Sequence, residues 1–327
     1  MRGLITGATG FVGSNLARRL VRLGWKVNVL VRDKNKLGRL SGVDGLVIYA
    51  GDLADQKVIG KATKGVDVIF NCAAALNYHK PTEDQFRRTN IDGLKNVLDA
   101  VRGSRARLVH LSTVGIYGPT DSSGADEESF RNPQDTYART KVKGEELIED
   151  YKKRHRIKVV IIRPTIAYGP GDTRPGLLDL FRFIKKGLFI PIGKGENYFH
   201  TVYIDNLVDA IILAATKKAV VGKDFIIGDG DAPKMKELYG LVYRICGRRM
   251  SALYLPIPLS FVIGKSSDLL SGVGLPNILG SQRVKFLTEN KRYRIDKAKK
   301  VLGYRSKIDL KEGLKITHSW YKDNGYL

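Results

Sequence analysis

Tyr137 and Lys141 are the residues of this 327-residue chain whose types and spacing most directly suggest chemistry. On a helix, positions i and i+4 share a face and lie ~6 Å apart along the axis. An unperturbed tyrosine titrates near ~10, too high for easy proton exchange at neutral pH. A neighbouring ammonium favours the phenolate and lowers that value. Tyr137 is therefore the candidate general acid/base and Lys141 the group that tunes it. The spacing is common by chance, so the pair gains meaning only from its surroundings. The most telling of these is the run Thr6-Gly7-Ala8-Thr9-Gly10-Phe11-Val12-Gly13 near the start of the chain.

That run joins a short apolar strand, Gly3–Thr6, to a helix beginning near Phe11. Leu16, Ala17, Leu20, Val21 and Leu23 share one helical face, Arg18, Arg19 and Arg22 another, and Gly24 is a plausible C-cap. Gly7 suits a tight turn, Gly10 lets backbone N–H groups approach a pyrophosphate, and Gly13 lets helix and strand pack closely. Phosphates would then lie on the helix N-terminus. Gly7, Thr9, Gly10, Phe11, Val12 and Gly13 are the expected cradle of a dinucleotide. The alternative, a glycine-rich turn without a ligand, fits the surrounding strand–helix alternation less well. A second strand, Val27–Val31, ends where an adenosine ribose would be read. An acidic side chain there favours NAD. This chain has Arg32, Asp33, Lys34 and Lys36 instead, so NADP is the expected cofactor, with NAD open because Asp33 stands only one residue late.

From Met1 to about Pro164, short apolar strands alternate with helices, which predicts an α/β protein with a Rossmann-type, doubly wound parallel sheet. Residues 1–164 are expected to form the dinucleotide-binding domain. The segment 199–230 should return to its sheet through a strand at Phe199–Ile204, a helix at Asp205–Thr216 and a strand at Asp224–Gly228. A smaller interleaved substrate lobe is then left to 165–198 and 231–327. Two cysteines, Cys72 and Cys246, are too few for a disulfide framework and have no metal-ligand company, so no metal is expected. The first strand begins too early for a signal peptide, and a spanning helix needs ~20 predominantly apolar residues. A soluble, cytoplasmic protein is the expectation. The net charge of +23 attracts nucleic acid, anionic lipid or acidic ligands, against the simpler reading of a solvated basic exterior.

The ordered motifs resemble the extended short-chain dehydrogenases/reductases, the NAD-dependent epimerase/dehydratase family. They are the Gly7–Gly13 loop, Gly51-Asp52-Leu53, Asn71-Cys72-Ala73-Ala74 and Asn90 in its Asn-Ile-Asp-Gly run. Leu111–Gly118, Tyr137–Lys141 and Arg163-Pro164 through Asp172 complete the set. The resemblance implies that Asp52, with Leu53, contacts adenine and that Ala73 and Ala74 line the cofactor. It also places Asn90 and Pro164 at the cofactor site, Lys141 on the nicotinamide ribose, and Thr113 beside Tyr137 holding the substrate oxygen. The lesser alternative for Thr113 alone is a strand-end hydroxyl bonded to backbone. Tyr78, His79, Tyr117 and Tyr168 are candidates for the substrate pocket.

Within the family, dehydratases carry an Asp-Glu pair where this chain has Val114-Gly115. Sugar-nucleotide epimerases carry an asparagine where Ile166 stands, and Arg-Asp-Phe where Phe199-His200-Thr201 stands. Arg163-Pro164 and the run Leu287–Tyr304 look closer to the hydroxysteroid dehydrogenase and dihydroflavonol reductase branches, which act on secondary alcohols or ketones. Leu255–Gly264 and Leu269–Leu279 add apolar material that lines a pocket, meets a membrane surface, or simply packs the lobe. A nucleotide-sugar epimerase is the alternative enzyme, and a non-catalytic dinucleotide- or RNA-binding protein the alternative class. The resemblance further implies a homodimer through helices at Glu83–Arg102 and Gln134–His155.

Overall fold

The computed structural model describes residues 1–77, 81–250, 252–271 and 279–327. The pocket candidates Tyr78 and His79, and most of Leu269–Leu279, lie outside them. Seven strands form one parallel sheet: β1 (Arg2–Thr6), β2 (Lys26–Val31), β3 (Leu46–Ala50), β4 (Val68–Asn71), β5 (Arg107–Leu111), β6 (Lys158–Pro164) and β9 (Asp224–Ile227). Their order is β3-β2-β1-β4-β5-β6-β9. Between most of them the chain crosses over in a helix, which is what parallel neighbours require. The central strands read as continuous apolar runs because helices cover both faces. Leu4, Ile5, Ile69, Phe70, Leu108 and Val109 are fully buried or nearly so.

One face carries α1 (Phe11–Arg22) and α7 (Ile204–Thr216), and their apolar sides meet Ile5, Phe70 and Val109 in one core cluster. The other carries α2 (Gln56–Thr63), α4 (Gly93–Arg102) and α5 (Thr136–His155) over Leu4, Ile69 and Leu108. The predicted helix at 83–102 is α3 (Glu83–Arg87) running into α4 through a π-helical turn at Arg88–Asp92. Strand order reverses between β1 and β4, and the crevice at their carboxyl ends is where such sheets bind ligands.

β9 does join the sheet, with Ile161–Pro164 paired to Asp224–Ile227. The strand expected just before α7 does not. β8 (Thr201–Tyr203) pairs instead with β7 (Ile166–Tyr168) in a separate parallel pair. Its partner is the segment that continues from β6 beyond Pro164. The remaining helices are α6 (Leu177–Lys185), α8 (Met235–Ile245), α9 (Ile257–Ser271), α10 (Ser281–Thr288) and α11 (Leu310–Asp323). α11 packs closely onto the small sheet, since a Cβ at Gly313 would fall 2.4 Å from the Tyr168 hydroxyl. The first core cluster thus continues from Ile5 to Tyr321.

Candidate active site

The turn after β1 is built from close backbone approaches. Gly7 has φ +66°, and a Cβ there would lie 2.6 Å from the backbone of Ala73, across the switch point. A Cβ at Gly13 would lie 2.3 Å from the Gly7 carbonyl oxygen, so only glycine lets α1 begin this close to the strand. At Gly10 a Cβ would meet nothing but that same oxygen, at 3.1 Å. Gly10 is the N-cap of α1, with no side-chain cap and no acidic residue in the first turn. The first N–H groups of a helix have no intrahelical acceptor. Together with the macrodipole they make an anion site. The geometry therefore fits the pyrophosphate of a dinucleotide. Phe11 and Gly13 are buried, Thr9 and Val12 half-buried, and Gly10 exposed. The Arg174 guanidinium lies over the Phe11 ring at 4.9 Å and pairs with Asp172 at 2.6 Å, which fastens the 169–174 loop against α1.

At the end of β2, Val31 is buried and Arg32 is exposed. The Asp33 carboxylate accepts from the Asn35 backbone N–H at 2.9 Å and lies 4.0 Å from Lys36 Nζ. It serves its own turn. Asp52, after β3, is exposed and accepts from Ala54 N–H at 2.9 Å, while Leu53 is a core residue 8% exposed. Ala73, half-buried, lies directly beside Gly7, and Ala74, also half-buried, follows it. Asn90 lies in the π-helical turn, 4% exposed, with its amide engaged on both sides. It accepts from Ala75 N–H at 2.8 Å and donates to Ala75 O at 3.2 Å and to Thr140 Oγ1 at 2.9 Å. It therefore ties the segment after β4 to α5, one turn from Tyr137. π-turns of this kind often mark functional sites.

The Asp135 side chain caps α5 by accepting from Ala138 N–H at 2.7 Å, which starts the helix one residue before half-buried Tyr137. Lys141 follows one turn on and is 3% exposed. Its ammonium donates to Leu111 O at 2.5 Å and stands 3.3 Å from His110 Nε2. His110 Nδ1 is 3.1 Å from Asn71 Nδ2, and Asn71 Oδ1 accepts from Thr6 Oγ1 at 2.6 Å. Thr6, Asn71 and His110 are in register on three adjacent strands. A buried polar row therefore crosses the sheet and ends on Lys141. Burial lowers Lys141 to about 8, although Glu145 one turn further opposes the shift. Burial, then Lys141, holds His110 well below the usual imidazole range, so it is neutral. Neither Asn71 nor His110 is among the expected catalytic residues. Their only sequence signal is a polar side chain near the end of an apolar strand, and the register is what gives it meaning.

Thr113 follows β5, half-buried, and its Oγ1 accepts from Gly115 N–H at 3.0 Å. The hydroxyl thus makes the backbone contact expected of a strand end, and its own proton remains to be donated. A Cβ at Gly115 would lie 3.3 Å from Thr113 Oγ1 and 3.8 Å from Ala138 Cβ, which sets this turn against the first turn of α5. Ser112 points away into the interior, 3% exposed. Pro164 ends β6, half-buried. Arg163 turns inward to a buried ion network. It holds Glu145 through Nε at 3.0 Å and Nη2 at 2.7 Å, and also meets Asp224 and the Tyr117 hydroxyl. Tyr117 is thereby largely buried, 4% exposed, and Tyr168, 3% exposed, packs edge-on against Tyr203 at 5.7 Å. Cys72, partly exposed, has its thiol pushed up to about 12 by burial, as suits a packing residue. His200 is fully buried against Tyr293. Among the described residues no His/Cys/Asp/Glu group could hold a metal ion.

An α/β sheet with a glycine-built anion cradle at its switch point defines a dinucleotide-dependent enzyme of the extended short-chain dehydrogenase/reductase type. The chain belongs to the NAD dependent epimerase/dehydratase family, whose model matches residues 3–228. It is 28% identical to the decarboxylating sterol-4-alpha-carboxylate 3-dehydrogenase of Candida albicans, covering 98% of this chain and 97% of that one. It is 30% identical to 2-alkyl-3-oxoalkanoate reductase of Stenotrophomonas maltophilia, covering 96% and 98%. Among solved structures, a UDP-glucuronic acid 4-epimerase from Bacillus cereus in complex with NAD superposes with a TM-score of 0.78 at 23% identity, covering 99% of both chains. These relatives span sterol, oxoalkanoate and sugar-nucleotide chemistry, so kinship sets the oxidoreductase class and leaves the substrate to the site.

Proposed function

We propose that this protein interconverts a secondary alcohol and a ketone on a hydroxysteroid- or flavonol-like substrate. In this reading Tyr137 is the acid/base, Lys141 tunes it and holds the nicotinamide ribose, and Thr113 steadies the substrate oxygen. A bound nicotinamide dinucleotide supplies the hydride acceptor or donor. Gly7–Gly13 and the α1 N-terminus hold its pyrophosphate, Ala73 and Ala74 form its wall, and Arg32 approaches the adenosine ribose. In the oxidative direction the Tyr137 phenolate takes the hydroxyl proton as the carbinol carbon loses hydride. In the reductive direction the phenol returns it to the carbonyl oxygen. Lys141 donates one N–H to Leu111 O and stands 3.3 Å from His110 Nε2, which leaves N–H groups for ribose hydroxyls.

The observation that carries this reading is the anchoring of Lys141 by a buried row of side chains, one helical turn from Tyr137. A packing role needs no such row, because an aliphatic residue would fill the same space without a desolvation cost. An apolar substrate is supported by the sterol and oxoalkanoate relatives and by Ile166 at the position of the epimerase asparagine. NADP preference rests on the β2 end alone, where Asp33 is occupied by its own turn and Arg32 faces solvent. The structural relatives in complex with a dinucleotide carry NAD. A homodimer through 83–102 and 134–155 is part of the same proposal.

The test is Tyr137→Phe assayed on a panel of sterol, flavanonol and 3-oxoalkanoate substrates. Turnover should fall by ~10²-fold or more with dinucleotide affinity nearly unchanged. Near-normal turnover in this variant would remove Tyr137 from the mechanism. Thermal stabilisation by UDP-sugars, and not by apolar ketones, would replace the substrate class with the sugar-nucleotide one.

A further inference from the structure

Away from the crevice, one surface has a composition that catalysis does not require. Segments 182–194 and 244–265 contain eight cations and no carboxylate: Arg182, Lys185, Lys186 and Lys194, then Arg244, Arg248, Arg249 and Lys265. The fold sets the two segments side by side. Leu255 N–H donates to Pro191 O at 2.8 Å and Gly193 N–H to Leu255 O at 2.8 Å, while Arg248 Nη2 donates to Lys185 O at 2.9 Å. None of Lys185, Lys186, Lys194, Arg248 and Arg249 pairs with a carboxylate among the described residues. The acidic residue that follows Lys194 in sequence, Glu196, is held by Lys234 and Lys236 at 2.7 Å each.

The same two segments expose large aliphatic side chains. Leu188 is 67% exposed, Ile190 58%, Leu253 75%, Leu259 48% and Val262 61%. The last two lie on α9, which is built inside out. Its inward side is Ser260, Gly264 and Asp268, spaced four apart. A Cβ at Gly264 would lie 3.0 Å from Ser281, and Asp268 accepts from Ser281 N–H at 3.1 Å. With small and polar residues packed on α10, the aliphatic ones are left facing water, the reverse of the usual arrangement. Apolar surface of this extent, interleaved with cations, marks an interaction site.

We propose that this face docks on an anionic lipid bilayer, with the aliphatic side chains entering the headgroup boundary and the cations resting on acidic headgroups. A nucleic acid would use the cations but has nothing to gain from exposed Leu188, Ile190, Leu253 and Val262. A second copy would bring the same unpaired cations together in a molecule of net charge +23. A lipid surface satisfies both components at once. No described helix is long and apolar enough to cross a membrane. The inference is independent of the substrate assignment.

The experiment is co-sedimentation of the full chain with phosphatidylcholine vesicles, with and without phosphatidylglycerol. Binding should appear with phosphatidylglycerol, fall at least ~10-fold in its absence, and weaken as ionic strength rises above ~0.1 M. Two double variants separate the components. Leu188→Ser with Leu253→Ser, and Lys185→Glu with Arg249→Glu, should each weaken binding ~10-fold or more. Both should leave the thermal midpoint and dinucleotide affinity unchanged. Indifference of vesicle binding to the leucine variants, or RNA binding tighter than vesicle binding, would overturn the proposal. So would a concentration-dependent dimer that these variants dissolve, since the face would then belong to a second copy.

Discussion

Gly13→Ala tests the cradle most directly. The added Cβ would sit 2.3 Å from Gly7 O and 2.9 Å from Ala8 Cα, both backbone atoms, where real Cβ contacts essentially never fall below 3.0 Å. Loop and helix must therefore separate by at least about 0.7 Å, and no rotamer change relieves it. Overpacking of this kind costs ~1–3 kcal/mol, which lowers the melting temperature by a few degrees in a chain this large. The greater effect falls on binding, because the separation moves the α1 N-terminus away from the loop that, in the proposed reading, shares the pyrophosphate with it. Displacements near ~1 Å at positioning groups can cost ~10²-fold. Calorimetric titration with NADP and NAD should show at least a tenfold loss of affinity for both. Gly60→Ala is the control: Gly60 lies inside α2 with open space around its would-be Cβ. It should gain ~0.5–1 kcal/mol and leave affinity untouched. Wild-type affinity in Gly13→Ala would mean that the glycine loop does not hold the dinucleotide.

The other outcomes follow from the charges. Arg163→Met leaves Glu145, which is 0% exposed, with Arg131 as its one remaining ion-pair partner among the described residues. Denaturant unfolding should show a loss of ~3 kcal/mol or more, largely restored by adding Glu145→Leu. Lys141 titrates at about 8 in the folded chain against an ordinary 10.5, so between those pH values the unfolded chain holds a proton that the folded one lacks. Stability contributed at this site should therefore rise with pH across that window. Subtracting the Lys141→Met profile from the wild-type one should isolate the rise, and parallel profiles would contradict the assignment. Arg32→Asp should shift the NADP-to-NAD affinity ratio toward NAD by ~10-fold or more. An unchanged ratio would take Arg32 out of the ribose site.

The parallel sheet and the glycine cradle were legible in the chain because each depends on local chemistry. Apolar runs and helical faces repeat within a few residues, and Gly13 is required by a backbone contact with Gly7 in its own loop, whereas the Gly7 contact with Ala73 comes only with the neighbouring strand. Tyr137 and Lys141 share a helix face for the same reason. What tertiary structure decided was everything that depends on which strands become neighbours. Strand β8 stands outside the main sheet and pairs with β7. Tyr117 and Tyr168 became core residues once Arg163 and Tyr203 packed on them. His110 and Asn71 acquired their connection to Lys141 only when β1, β4 and β5 aligned, since a contact across strands is set by register and leaves no periodic trace in the sequence.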